Sequence, residues 1–155
     1  MEPQQPRYSR SELLSAATAF CDAFKSKRPT EEILTTHFSS ARADDIIVFE
    51  HGWKQLAPFV GREYKGLEGA RDYFALIAEC LEFENMCFNN FVVDPEINQV
   101  SVRGQADFRW KDGQGWKEVI AYILEFDHEL RVVTYEIWAD AGAAYLAKMG
   151  ALRHE

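Results

Sequence analysis

Residues 99–110 read QVSVRGQADFRW, and this stretch decides the class of fold. Its even-numbered positions carry small or apolar side chains, from Val100 to Trp110, whereas its odd-numbered positions are polar or charged. A period of two is typical of a β-strand that packs one face on a core and leaves the other in solvent. The pattern therefore predicts an antiparallel strand whose even positions face inward.

Turn sequences on both sides extend this strand into a sheet. Residues 94–96 (DPE) and residues 111–115 (KDGQG) are turn signals. They help to divide the second half of the chain into strands predicted at residues 86–93, 99–110, 116–127 and 131–140.

The register between paired strands predicts which residues of the neighbouring strands face inward. If the two central strands pair in register, Tyr122 points inward. If residues 128–129 form a two-residue turn, Tyr135 points inward as well. A β-bulge in the last strand would instead turn Glu136 or Trp138 toward the core.

The first half of the chain is predicted to be mainly helical. Ser9 and Glu12 have the spacing of a capping box, and apolar residues then recur every three or four positions. A β-branched run predicts a strand at residues 46–51, and Asp140 can cap a final helix. The three N-terminal helices are predicted at residues 9–24, 30–38 and 67–81.

Together these elements predict an α+β fold. We expect a cone-shaped, curved antiparallel β-sheet packed against three N-terminal helices, with a pocket between the two layers. The chain of 155 residues has the size of one domain, which we expect at residues 11–150. Residues 1–10 are polar, include two prolines and predict a disordered N-terminal tail.

Charge and composition exclude several partners. The net charge is −8, and beyond Lys25, Lys27 and Arg28 there is no basic cluster of the kind that nucleic-acid binding requires. No apolar run approaches the roughly 18 residues of a membrane span, so no membrane partner is expected. Three cysteines without a C-x-x-C spacing favour free thiols in a reducing compartment, and we expect a cytoplasmic protein.

Three local segments resemble a known family. They are residues 45–52 (DIIVFEHG), residues 61–74 (GREYKGLEGARDYF) and residues 133–140 (VTYEIWAD). With the order of elements, they resemble the nuclear transport factor two-like superfamily, and within it the SnoaL-like polyketide cyclase and ketosteroid isomerase group. The resemblance covers residues 11–149 and implies a SnoaL-like domain with the cystatin-like roll of that superfamily.

The resemblance also implies where a catalytic base would lie. In ketosteroid isomerase-like members the first strand ends in an acidic residue followed by proline, and that carboxylate moves the proton. This chain has Glu50-His51-Gly52 there, so alignment puts His51 at the base position, and a slip of one residue would put Glu50 there. A histidine near neutral pKa suits acid–base chemistry, although it can equally hydrogen-bond a loop and take no part in chemistry. Only one of the two neighbours can face the pocket, because adjacent strand side chains point to opposite faces.

Tyrosines and other aromatic residues complete the predicted site. Tyr122 or Tyr135 would donate a hydrogen bond to the oxyanion that forms when His51 takes a proton. These aromatics are either ordinary core or pocket walls, and we expect the walls to be Phe20, Phe24, Trp53, Tyr73, Phe108, Trp110 and Trp138. No metal site is expected, because the histidines and cysteines lack a ligand spacing, and no cofactor is expected, because no glycine-rich phosphate loop is present.

Two functions are compatible with this sequence. The first is a small-molecule-binding protein that acts on an apolar or aromatic, polyketide- or terpenoid-like ligand. By resemblance it would be a cofactor-free cyclase, isomerase or dehydratase, hence an isomerase or lyase. The alternative is a non-catalytic ligand-binding or dimerisation module. Val119, Ala121 and Ile123 give the third long strand an apolar outer face, which predicts a homodimer through the outer face of the sheet.

Overall fold

The computed structural model describes residues 8–154. Its elements follow the predicted order, with one additional short strand. They are α1 (Arg10–Lys25), α2 (Thr30–His37), β1 (Ile47–His51), β2 (Glu63–Lys65), α3 (Gly66–Cys80), β3 (Leu81–Asp94), β4 (Gln99–Trp110), β5 (Gly115–Phe126), β6 (Val132–Trp138) and α4 (Ala141–Lys148). The strand missing from the prediction, β2, has three residues, too few for an alternating pattern to be visible.

The strands form one curved sheet in the order β2-β1-β6-β5-β4-β3. Neighbours are antiparallel except β1 and β6, which run parallel. This pairing brings the first strand of the chain beside the last one, with Glu50 opposite Ile137. The predicted α+β class, a curved sheet covered by helices, is confirmed.

The predicted inward face of β4 is confirmed by burial. Val100, Val102, Ala106 and Trp110 are all at most 2% exposed, whereas the odd-numbered neighbours are half-buried or exposed. Phe108 is only half-buried. It faces the same side but lines a cavity.

The turn between β5 and β6 differs from the predicted two-residue turn. Asp127 N–H donates to the carbonyl of Arg131 at 2.8 Å, which leaves three residues in the loop. The Asp127 carboxylate accepts hydrogen bonds from the Glu129 and Arg131 N–H groups and from the Ser39 hydroxyl. An Asx-type turn of this kind needs the longer loop.

A bulge next to this turn compensates for its odd length. The register shifts between Glu125 and Phe126, and beyond the shift Leu124 pairs with Tyr135 and Tyr122 pairs with Ile137. The pairing is displaced by two residues from the one that a two-residue turn would give. An even displacement preserves the side of the sheet, so Tyr135 still faces inward, as predicted.

The N-terminal helices cover the concave side of the sheet. Ser9 and Glu12 form the predicted capping box at the start of α1, with Ser9 N–H donating to Glu12 Oε2 at 2.8 Å. Phe20 is fully buried, and its ring centroid lies 5.2 Å from that of Tyr135 on β6. The first seven residues of the predicted tail lie outside the described part of the chain. Among residues 8–154, no helix has the length and apolarity needed to cross a bilayer.

Gly69 is expected to be indispensable for packing α3 on β2. A Cβ atom at Gly69 would lie 2.6 Å from the carbonyl carbon of Tyr64, a backbone atom that cannot move aside. We expect Gly69→Ala to lower the free energy of unfolding by roughly 1–3 kcal/mol in urea titrations. Gly142→Ala in α4 is the control, because its Cβ would meet only Asp140 Oδ1 at 3.5 Å. A Gly69→Ala variant as stable as the control would contradict this packing.

Candidate functional site

A cavity of about 650 Å³ lies between the concave side of the sheet and the helices. This volume is sufficient for a small organic ligand. Its walls are largely aromatic and aliphatic, and include Phe24, Tyr73, Phe74, Phe108, Ile120, Tyr122, Tyr135 and Ile137.

Glu50 is an acidic residue in the wall of this apolar cavity. It is 6% exposed, near the end of β1, on the same face as the fully buried Val48. The Tyr73 hydroxyl donates to Glu50 Oε1 at 2.7 Å. Burial raises the pKa of Glu50 to about 7; the Tyr73 hydrogen bond opposes this rise, and the charge of Glu118 adds to it.

Glu118 is a second buried carboxyl in the same wall. It lies on the inner face of β5, is 6% exposed, and its Oε1 accepts a hydrogen bond from Asp140 N–H at 2.8 Å. Burial raises the pKa of Glu118 to about 7, while the nearby Trp116 indole and the Asp140 N–H oppose the rise. Two carboxyls with pKa values near neutrality therefore share one cavity, and both can take up and release protons at neutral pH.

The tyrosines of the cavity remain neutral. Burial raises the pKa of Tyr73, Tyr122 and Tyr135 above the usual value of tyrosine. The rings of Tyr122 and Tyr135 meet edge to face, with centroids 4.9 Å apart. These hydroxyls can therefore act as hydrogen-bond donors, and Tyr73 already donates to Glu50.

Comparison with known proteins identifies the fold. No family model matches the sequence, and no curated protein sequence matches it significantly. Solved structures do match. An NTF2-like (nuclear transport factor two-like) protein from Burkholderia xenovorans LB400 superposes with a TM-score of 0.68 at 19% identity, covering 90% of this chain and 98% of that chain. The protein has the NTF2-like fold.

Two further structures with this fold carry functional assignments of their own. One, assigned as a SnoaL-like polyketide cyclase from Jannaschia sp. CCS1, superposes with a TM-score of 0.71 at 12% identity and covers 99% of both chains. The other, assigned as an isomerase from Rhodopseudomonas palustris, gives 0.68 at 16% identity and covers 89% of this chain and 96% of that chain. At these identities the likeness establishes the NTF2-like fold alone.

His51 does not face the cavity of this NTF2-like fold. It lies on the outer side of the sheet, where Nε2 is 2.8 Å from Glu136 Oε2 and the ring stacks on Trp138 with centroids 4.3 Å apart. The placement predicted from the alignment is therefore wrong. The physical reason is the strand itself, since Glu50 is inside and its neighbour must be outside.

The predicted aromatic walls are only partly correct. Trp110 and Phe20 are core residues, and the Trp110 indole donates to the carbonyl of Ala144 at 2.7 Å. Trp53 is 72% exposed and Trp138 37% exposed, so neither belongs to the cavity. Of the residues predicted for the site, the cavity brings together Phe24, Tyr73, Phe108, Tyr122 and Tyr135.

Glu118 was missed, although the sequence contains its signal. It occupies an even position of β5 between Trp116 and Ile120, both of which face inward. An acidic residue at an inward position is either paired or functional, and this inference was available from the alternation alone. Among residues 8–154, no group of three His, Cys, Asp or Glu side chains is placed to hold a metal ion.

Proposed function

We propose that this protein is a cofactor-independent acid–base enzyme that moves a proton on a small apolar or aromatic ligand. Isomerisation, cyclisation and dehydration of a polyketide- or terpenoid-like compound are the reactions of this class. The observation that carries the proposal is Glu50, a carboxyl buried in the wall of an apolar cavity with its pKa raised to about 7.

The surroundings of Glu50 suit it to both halves of a proton transfer. As a carboxylate it accepts a proton from a C–H bond, whose electron pair stays on the ligand, and as an acid it returns that proton at another position. Tyr73 holds Oε1, and no hydrogen bond from residues 8–154 reaches Oε2, so Oε2 is the oxygen available to the ligand. The isomerase and polyketide cyclase assignments of the similar structures support this reaction class.

A chromogenic C–H acid tests the proposal without knowledge of the natural ligand. The probe is 5-nitrobenzisoxazole, which a carboxylate base opens to a coloured phenolate. We expect kcat/KM to rise with pH and to level off above an apparent pKa of about 7, because the carboxylate form of Glu50 is the base. His51→Ala is the control and should leave the profile unchanged. An apparent pKa near 4.5, or no turnover above that of acetate in solution, would contradict the proposal.

The homodimer remains a prediction. Val119 is 52% exposed and Trp138 is 37% exposed on the outer side of the sheet. Covering them would remove apolar surface from water. We expect sedimentation velocity to show a dimer at micromolar concentration and Val119→Lys to shift it toward monomer. A wild-type protein that is monomeric throughout this range would refute the prediction.

A further inference from the structure

The wall of the cavity carries more acidic than basic side chains. Its acidic residues are Glu50, Glu82, Glu84, Glu118 and Asp140, and its basic residues are Lys27, Arg28 and Lys111. Each basic side chain already meets a protein acceptor. The pairs are Lys27 with Glu84, Arg28 with Glu32, and Lys111 with the carbonyl of Ala78. Among the described residues that line the cavity, no basic side chain is therefore left to neutralise the buried acids Glu50 and Glu118.

Glu118 has one carboxyl oxygen without a partner. Its side chain is 6% exposed on the inner face of β5, and Oε1 accepts the Asp140 N–H at 2.8 Å. No hydrogen bond from residues 8–154 reaches Oε2. Burial raises the pKa of Glu118 to about 7, the Trp116 indole and the Asp140 N–H favour the ionised form, and the Asp140 carboxylate disfavours it. A positive charge beside Oε2 would therefore stabilise the carboxylate.

Aromatic rings lie next to Glu118 on the inner face of the sheet. Trp116 precedes it by two residues on β5, and Phe108 is the partner of Trp116 on β4. The two rings are stacked, with centroids 5.8 Å apart and an interplanar angle of 24°, and both line the cavity. The π faces of aromatic rings attract cations, by roughly 0.5–2 kcal/mol for each contact. A carboxylate beside aromatic rings is a combination suited to an organic cation.

We propose that Glu118 is the counter-ion of an organic cation that binds in the cavity. The ligand is an apolar molecule with one charged nitrogen, as in a protonated amine or a quaternary ammonium compound. The inference goes beyond the proposed function, because it concerns binding and does not require Glu50 to move a proton. The net charge of −8 also attracts cations from solution toward this protein.

The charges of the wall disfavour the other classes of ligand. An anion would be repelled by Glu50, Glu118 and Asp140, which all line the cavity. A neutral apolar ligand would displace water from Glu118 and make its ionised form still less favourable. For a cation, pairing with the carboxylate and contact with the aromatic rings offset the loss of hydration. The affinity for a cation should therefore rise as Glu118 loses its proton.

A matched pair of probes tests the inference. Phenyltrimethylammonium and tert-butylbenzene have the same shape and differ only in a charged nitrogen or a neutral carbon. The measured quantity is the ratio of the Kd of tert-butylbenzene to that of phenyltrimethylammonium. We expect this ratio to exceed one at pH 8 and to fall by about 10-fold at pH 6, where Glu118, with a pKa of about 7, is mostly protonated. The charge of the probe is permanent, so the pH acts on the protein alone.

Substitutions separate Glu118 from the other buried acid. Glu118→Gln keeps the shape of the side chain and an acceptor for the Asp140 N–H, and we expect it to lower the ratio at pH 8 by about 10-fold. Glu50→Gln should retain most of the ratio. Glu125→Gln, on the outer side of the same strand, is the control and should leave the ratio unchanged. An unchanged ratio in a folded Glu118→Gln protein would overturn the inference.

A further measurement needs only the wild-type protein. At pH 7 about half of Glu118 carries a proton, which pairing with a cation expels. Calorimetry in two buffers of different ionisation enthalpy should show release of roughly half a proton for each phenyltrimethylammonium bound, and none for tert-butylbenzene. Binding without proton release, or no binding of phenyltrimethylammonium at millimolar concentration, would contradict the inference. The role of Glu50 would survive either result, since the turnover of 5-nitrobenzisoxazole is measured without a cation.

Discussion

Replacing Glu50 by glutamine should lower kcat/KM for 5-nitrobenzisoxazole by about 100-fold or more, the usual magnitude of a lost general base. Glutamine has nearly the same shape and can still accept the Tyr73 hydrogen bond, so the cavity should remain. What disappears is the basic oxygen. Stopped-flow absorbance above pH 8, where the carboxylate form dominates in the wild type, gives the largest contrast.

The neighbouring residue provides the matched control for that loss. His51→Gln changes the next position of the same strand, but its side chain lies on the outer side of the sheet beside Trp138. We expect it to retain wild-type turnover. Loss of activity in His51→Gln together with full activity in Glu50→Gln would reverse the assignment of the base.

The same Glu50→Gln substitution should stabilise the protein at pH 8. The pKa of Glu50 is raised from 4.5 to about 7 in the folded state. Between these pH values the folded state therefore binds more protons than the unfolded state, and stability falls as the pH rises. Well above pH 7 the full cost of holding the buried carboxylate is present, roughly 3 to 3.5 kcal/mol for a shift of this size. Glutamine does not ionise and avoids this cost.

Urea unfolding at pH 5 and pH 8 measures this effect. The gain in the free energy of unfolding for Glu50→Gln should be larger at pH 8 than at pH 5. Glu96→Gln, at an exposed turn position between β3 and β4, is the control and should change stability little at either pH. An equal effect of Glu50→Gln at the two pH values would mean that Glu50 is not held above its ordinary pKa.

The loss of turnover and the gain of stability expected for Glu50→Gln have the same physical cause. A carboxyl that is buried to make it basic near neutral pH destabilises the fold whenever it is ionised. Gain of stability with loss of turnover is the combination expected of a functional group. A buried Glu50 without a catalytic role would still show the gain of stability at high pH, but not the loss of turnover.

The sheet could be predicted from the sequence where one face is apolar and the other polar. Residues 99–110 alternate along their whole length, and burial follows that alternation. The pairing of β5 with β6 could be predicted less well, because the length of the loop between them decides the register of the two strands. Its three-residue loop and its bulge both differ from the prediction. Each shifts the strand pairing by one residue, so together they shift it by two and Tyr135 still faces inward.

The choice between Glu50 and His51 could not be made from the sequence. Residues 46–49 are Ile-Ile-Val-Phe, apolar on both faces of the strand, so the sequence does not show which of its side chains face inward. The inward face of β1 is fixed by a long-range contact, its parallel pairing with β6. This pairing places Val48 opposite Tyr135 and Glu50 opposite Ile137. Such a pairing has no local sequence signal.

The sequence also does not show which aromatic residues line the cavity. Trp116 lines the cavity while Trp53 and Trp138 are exposed at the surface. Side-chain type alone does not separate these positions, because tryptophan occurs in cores, pocket walls and surfaces alike. Only the curvature of the sheet and the path of the loop after β1 distinguish them.

Titration of the Glu50 carboxyl itself tests most directly whether burial makes this group a base near neutral pH. The ¹³C carboxyl resonance of Glu50, assigned by its absence in Glu50→Gln, can be followed from pH 3 to pH 9 beside that of Glu118, since the two titrations are coupled. We expect apparent pKa values of about 7 for this pair. A Glu50 resonance that titrates near 4.5 would contradict the role of Glu50 as a base that works near neutral pH.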